Sequence, residues 1–247
     1  MVRDSASWTT MVRVLAHLQF ARLRRHWRPY MVVSAVMPAG IVLLLHLTSP
    51  TMSMSERADV VPGAMLLAQA ISGIVMLSQF IAWLKTSHAL DHYRVLPISL
   101  GALVLILSTV YGIFSWPGVL LIAGEGRYLD HLPFHFSAAF VLALCGNGLT
   151  LGSIGVVIGL LAPDEGLAGL FGNLAMMAVL FAGMAPLPAH PGWIHALLWI
   201  LPSTGGLILV KSLSLGLAGH HLLVWMGVAL YGALATLVAK YLMARPS

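Results

Sequence analysis

Lys85-Thr86-Ser87-His88-Ala89-Leu90-Asp91-His92-Tyr93-Arg94-Val95-Leu96-Pro97 is a polar island between two long apolar runs. It holds Lys85, Asp91 and Arg94, with His88 and His92 one helical turn apart, and Tyr93, Val95 and Leu96 alternate with these polar groups. The pattern predicts a short amphipathic helix ended by Pro97, because proline disfavours helical backbone in the residue before it. The flanking runs are each long enough to cross a bilayer, so the chain is expected to leave the membrane here and re-enter it.

The whole composition agrees with that reading. Of 247 residues, 59% are hydrophobic and 9% charged, and the mean hydropathy is +0.92. Soluble domains carry roughly 25% charged residues. The expected fold class is therefore an all-α integral membrane protein with six transmembrane helices; the short alternating segments of a membrane β-barrel are absent. The net charge of +5 comes mainly from basic residues at the ends of apolar runs, which points to membrane orientation and not to nucleic acid. A single cysteine, Cys145, excludes an intramolecular disulfide.

On the N-terminal side, residues 1–28 read as a cytoplasmic interfacial segment. Trp8, Met11, Val12, Leu15 and Leu18 share one helical face, while Arg13, His17 and Arg24 gather opposite and, with Arg25, are expected to meet anionic headgroups. Arg22 falls on the apolar side and must snorkel. No cleavable signal is expected, since Arg13, Arg22, Arg24, Arg25 and Arg28 interrupt any early apolar core. The membrane domain then occupies 29–247. Its first span is expected at 29–47, bent at Pro38, followed by a polar loop at 48–60 and a second span at 61–84.

On the C-terminal side, a third span is expected at 98–123, broken near Trp116-Pro117-Gly118, and a second polar loop at 124–133. The fourth span, 134–161, places Gly148, Gly152, Gly155 and Gly159 on one face, where another helix of this chain or of a second subunit could approach closely. A tight turn at Pro163-Asp164-Glu165-Gly166 leads to a fifth span at 167–186. Residues 188–219 are apolar but interrupted by Pro188, Pro191, Pro202 and glycines, which predicts two short re-entrant helices at 193–201 and 206–217. The sixth span is expected at 221–242.

With six spans, both termini and segment 85–97 share a side that holds ten of the thirteen Lys and Arg residues; Arg57, Arg127 and Lys211 hold the other. The positive-inside rule places the ten in the cytoplasm of a cell-membrane protein. Little chemistry competes with a transport role. No phosphate-binding loop occurs, and Ser153 in Leu-Gly-Ser-Ile-Gly lacks the surroundings of an intramembrane protease, so no catalytic residue is assigned. The pairs His131/His135 and His220/His221 lack carboxylate or cysteine partners and read as interfacial, as do His46, Trp193 and Trp199; no metal site is assigned. All eight acidic residues fall in expected loops, turns or termini, which argues against the runner-up, an ion-coupled secondary carrier or channel. A membrane enzyme lacks a nucleophile–base constellation.

Taken in order, these parts resemble the transmembrane permease subunit of type-2 ABC exporters. The resemblance rests on Arg94-Val95-Leu96-Pro97-Ile98-Ser99 after the cytoplasmic segment, the glycine-rich fourth span before Asp164-Glu165, the run from Asn173 to Gly183, Gly192-Trp193-Ile194, and Leu201-Pro202-Ser203-Thr204. It implies two permease subunits, identical or paired, joined to two separate nucleotide-binding ATPase subunits that carry the ATP and Mg. Segment 85–97 would be the coupling helix, with Lys85, His88, Asp91, His92 and Arg94 docking on the ATPase. The re-entrant helices would cap the extracellular end of the path. The cargo would be a small apolar or amphipathic compound such as a drug, peptide antibiotic or lipid.

Overall fold

A computed structural model describes residues 27–95, 99–184, 201–217 and 221–244, and these are helical with short connections and no strand. In chain order the helices are α1 Trp27–Thr48, α2 Met54–Ala70, a π-helical segment Ile71–Met76, α3 Leu77–Thr86, α4 Ala89–Val95, α5 Leu100–Phe114, α6 Trp116–Tyr128, α7 Ala138–Leu161, α8 Glu165–Met184, α9 Pro202–Ser214 and α10 His221–Ala244. The starts have local causes. Ser53 and Glu56 form a reciprocal capping box at α2, Ser99 and Ser137 accept from the backbone N–H of Ala102 and Phe140, and Asp164 Oδ1 accepts from Leu167 N–H at 2.9 Å. The break between α5 and α6 falls at Ser115, where Pro117 in the next turn lacks the N–H that would continue the ladder.

Five helices are long and apolar enough to cross a membrane: Met31–Thr48, Met54–Thr86, Leu100–Tyr128, Ala138–Leu161 and Leu222–Ala244. The expected fifth span corresponds to α8, whose apolar part, Glu165–Phe181, is shorter than these, so the described residues carry five such spans and a shorter apolar helix. The expected interfacial helix, with Arg13, His17, Arg24 and Arg25, lies outside the described residues, as does the first expected re-entrant helix at 193–201. Trp27 and Arg28, read with that interfacial segment, are already in α1.

Two loop expectations are corrected. Residues 54–60 are not loop but the first turns of α2, because the capping box satisfies the helix start well before the apolar run begins. Residues 124–128 are likewise the end of α6. There Gly126 lies so close to α2 and to Phe134 that an added Cβ would sit 2.8 Å from Val61 Cγ1 and 2.9 Å from the Phe134 ring. Arg127 donates to the Phe134 carbonyl at 3.3 Å.

The centre of the bundle is the 33-residue run Met54–Thr86, of which 89% of the most apolar window is buried, against 22% for α1 and 11% for α10. At 1.5 Å per residue it measures about 50 Å and overreaches the roughly 30 Å hydrocarbon layer. Val61, Leu66, Leu67, Ile74, Leu77, Ile81 and Leu84 pack from it against Leu103, Leu107 and Tyr111 of α5, Ile122 of α6 and Leu151 and Val156 of α7. The outward faces of α1, α8 and α10 are apolar and open, as in Val36, Leu44, Leu170, Phe171, Leu230 and Leu237, which is the surface a bilayer requires.

Candidate functional site

The polar island is built as a bend and a short helix. The carbonyl of Trp83 accepts from Ser87 N–H at 3.0 Å and from Ser87 Oγ at 2.6 Å, and His88 N–H donates to the Lys85 carbonyl at 3.1 Å. His88 adopts φ 57°, the left-handed conformation that closes helix ends. Segment 85–97 is therefore not one helix: Lys85 belongs to α3, His88 is the bend, and α4 starts at Ala89. The sequence pattern missed this because His88 is not glycine or asparagine, the residues that usually mark such a cap.

Each end of the bend is tied down. Lys85 Nζ donates to the Leu160 carbonyl at 3.0 Å and to the Ala162 carbonyl, so it caps the C-terminus of α7 with a positive charge. Leu90 is buried in the main core. His88 and Asp91 point the other way: their side chains are 84% and 47% exposed, with Nδ1 and a carboxylate oxygen 3.5 Å apart. Asp91 and Tyr93 lie on α4, as do His92 and Arg94, whose side chains lie outside the described residues. The result is a small exposed surface held against the two spans α3 and α7.

The four glycines of α7 line a contact inside this chain. An added Cβ at Gly152 would lie 2.8 Å from Ser108 Cα of α5, at Gly155 2.0 Å from the Gly73 carbonyl oxygen of the π segment, and at Gly159 2.4 Å from the Ser78 carbonyl oxygen of α3. Gly148 sits against Gln69 and Gly112. A second pair on α8, Gly169 and Gly172, meets Gln79 and Ser78 from the other side. Glycine at these places lets α7 and α8 touch the backbone of the central run where it is π-helical, a local form frequent at functional sites.

The opposite end of the bundle gathers charges from the expected loops, Arg57, Asp59 and Asp130, with Lys211 from the expected helix at 206–217. Asp130, only 6% exposed, accepts from Arg57 and lies 2.9 Å from His46 Nδ1. Lys211 of α9 pairs with Asp59 of α2. His46 is thus a hydrogen-bonding member of this cluster and not a simple interfacial anchor. These partners stand 73 to 152 residues apart, and no local pattern announces them. Glu125 also departs from expectation: it lies within the helical run Leu100–Tyr128, with one buried carboxylate oxygen lacking a partner among the described residues.

A neutral polar cluster lies deeper. Asn147 Nδ2 donates to Gln69 Oε1 at 2.7 Å, and Gln69 Nε2 donates to the Leu144 carbonyl at 2.8 Å. The N-terminal half of α9 reaches this level, since an added Cβ at Gly206 would collide with the Asn147 amide. Its C-terminal end returns to the charged end, where Ser214 accepts from His135 N–H at 2.7 Å. The expected helix at 206–217 is thus α9, starting at Pro202 and entering about as far as the first half of α7. Among the described residues no group of three metal-ligating side chains comes together.

The family model described as ABC-2 type transporter matches residues 10–213, over four-fifths of the chain. No curated protein matches it.

Proposed function

We propose that this chain, which belongs to the ABC-2 type transporter family and so is the multi-pass membrane permease of an ABC transporter, couples an ATP-binding subunit to cargo export through the bend at His88 and helix α4. Association with an ATP-binding subunit follows from the family. One observation carries the proposed coupling: His88 and Asp91 present exposed polar side chains where α4 begins, while Lys85 and Leu90 fasten this neighbourhood to α7 and the core. A force applied at Asp91 reaches two spans without being absorbed by a loose loop.

In this reading, ATP closes a pair of ATPase subunits on the cytoplasmic side, where both permease termini lie. Lys85, His88, Asp91, His92 and Arg94 divide the work. His88, Asp91, His92 and Arg94 meet the ATPase, and Lys85 passes the displacement to α7. The N-terminal segment with Arg13, His17, Arg24 and Arg25 lies on anionic lipid beside them. The close contacts at Gly148, Gly152, Gly155 and Gly159 let α7 shift against α5 and the central run. A second permease subunit completes the path, and ATP and Mg belong to the partner chains. The cargo is a small apolar or amphipathic compound, such as a drug, peptide antibiotic or lipid, suited to spans of this composition.

The test is co-purification with the ATP-binding subunit, followed by transport and ATPase assays on an Asp91→Ala, Arg94→Ala variant. The variant should insert normally, yet lose most transport while ATP hydrolysis continues. Normal export by that variant would contradict the placement of the coupling surface.

Glu125 favours a second reading, a proton-coupled carrier that works alone, because ion-coupled carriers place a carboxylate inside the membrane. Its position three residues from the end of α6, beside the charged cluster of Asp130, fits that role poorly. Transport that persists without ATP and vanishes in Glu125→Gln would favour the carrier.

A further inference from the structure

On the outer surface of the bundle, α5, α7 and α10 enclose a lateral cavity of about 550 Å³. It exists because side chains are small where large ones would otherwise meet: Gly146 on α7, and Ala229, Gly232 and Ala233 on α10, with Leu105 and Trp225 forming part of the rim. Trp225 is close behind Gly146, whose added Cβ would lie 3.7 Å from the indole. Concave, mostly apolar spaces of several hundred Å³ are the usual form of small-ligand sites.

The lining decides what fits. Three hydroxyls face this region, and each is already engaged within the protein. Thr150 Oγ1 donates to the Gly146 carbonyl at 3.0 Å and is 3.2 Å from that of Val228; Ser153 Oγ and Thr236 Oγ1 are 3.1 Å apart; Thr236 also donates to the Gly232 carbonyl at 2.8 Å. Among the described residues no charged side chain lines the cavity. A ligand with hydrogen-bonding groups would lose its solvation there without replacement, which disfavours it. A second copy of this chain fits poorly as well. An α-helix with side chains is about 10–12 Å across and rises 5.4 Å per turn, so the space holds only about one turn. A hydrocarbon chain meets neither objection, and α10, the least buried span, presents the cavity to the bilayer.

We infer that this cavity is a discrete site for one acyl chain of a bilayer phospholipid, lying apart from the coupling segment. The site is independent of what the transporter carries.

The test uses the full-length chain in detergent, titrated with a phosphatidylcholine bearing dibromostearoyl chains, with tryptophan fluorescence as the readout. Subtracting a Trp225→Phe chain isolates the Trp225 signal, which bromine quenches on contact. That signal should fall along a saturable curve ending at one lipid per chain, and excess unbrominated lipid should restore it. Filling the cavity with Ala229→Phe and Ala233→Phe should shift the curve to roughly tenfold or more higher lipid, about 1.4 kcal/mol. Both positions are exposed, so the added rings meet no core contact, and an unchanged unfolding midpoint in lipid-free detergent checks the fold. If the double variant fails to fold, Ala233→Leu alone should give a smaller shift in the same direction. Linear quenching that is equal in wild type and filled variants would overturn the site. So would efficient disulfide cross-linking between copies of an Ala233→Cys, Cys145→Ser chain, which would put a second copy in the groove.

Discussion

Lys85 shows how far a single residue departs from its sequence context. It reads as one charge among five on an exposed helix, but its ammonium serves the last carbonyls of α7. Lys85→Met should lower stability by about 1–2 kcal/mol, measured by unfolding in detergent, with Lys85→Arg recovering part of it. Asp130 is held by Arg57 and His46 in a nearly closed site, so Asp130→Ala strands a half-buried guanidinium. A loss of about 3 kcal/mol is expected, and the Arg57→Ala, Asp130→Ala double variant should lose less than the two single losses added together. His88 occupies left-handed backbone on an exposed bend. His88→Gly should fold at least as stably as wild type, whereas His88→Val should lose about 1–2 kcal/mol in the same assay.

Among elements, α7 is the one whose role was most legible. Four glycines at helical spacing predict a close-packed face, and the face meets α5 and the backbone of the central run. What spacing could not tell was the partner, since a small-residue face suits a neighbouring subunit as well as a neighbouring span. The contrast between Gly155 and Gly227 tests the contact. A methyl at Gly155 collides with the Gly73 carbonyl, while Gly227 on α10 has nothing within 4 Å. Gly155→Ala should destabilise the chain by about 1–3 kcal/mol, and Gly227→Ala should be neutral or slightly stabilising, by unfolding in detergent. The break before Pro117 was likewise visible, because proline's missing N–H acts locally. The ends of α2 and α6 were not. Glu56, Arg57, Asp59, Glu125 and Arg127 read as loop by polarity alone, but capping and long-range pairing hold these turns helical. The π segment left no local mark either, although Gly155 of α7 and Gly172 of α8 approach it closely.

Over the whole molecule, hydropathy and the distribution of basic residues carry most of what can be read from sequence, and the bundle follows them. Arg57 and Lys211 collect at one end with Asp130 and Asp59, and Lys85 lies at the other with the turn before α8. The charged end is cross-braced by ion pairs, and the other end carries a bend on which His88 and Asp91 are exposed. That asymmetry is consistent with the coupling surface proposed above. The most direct measurement is site-specific photo-cross-linking in membranes containing the full transporter, with the cross-linker at His88 or, as control, at exposed Leu129 beside the braced end. A covalent adduct with the ATP-binding subunit is expected from position 88 and none from position 129. No adduct from position 88, or modification of a cysteine placed there by an impermeant reagent added outside intact cells, would contradict it.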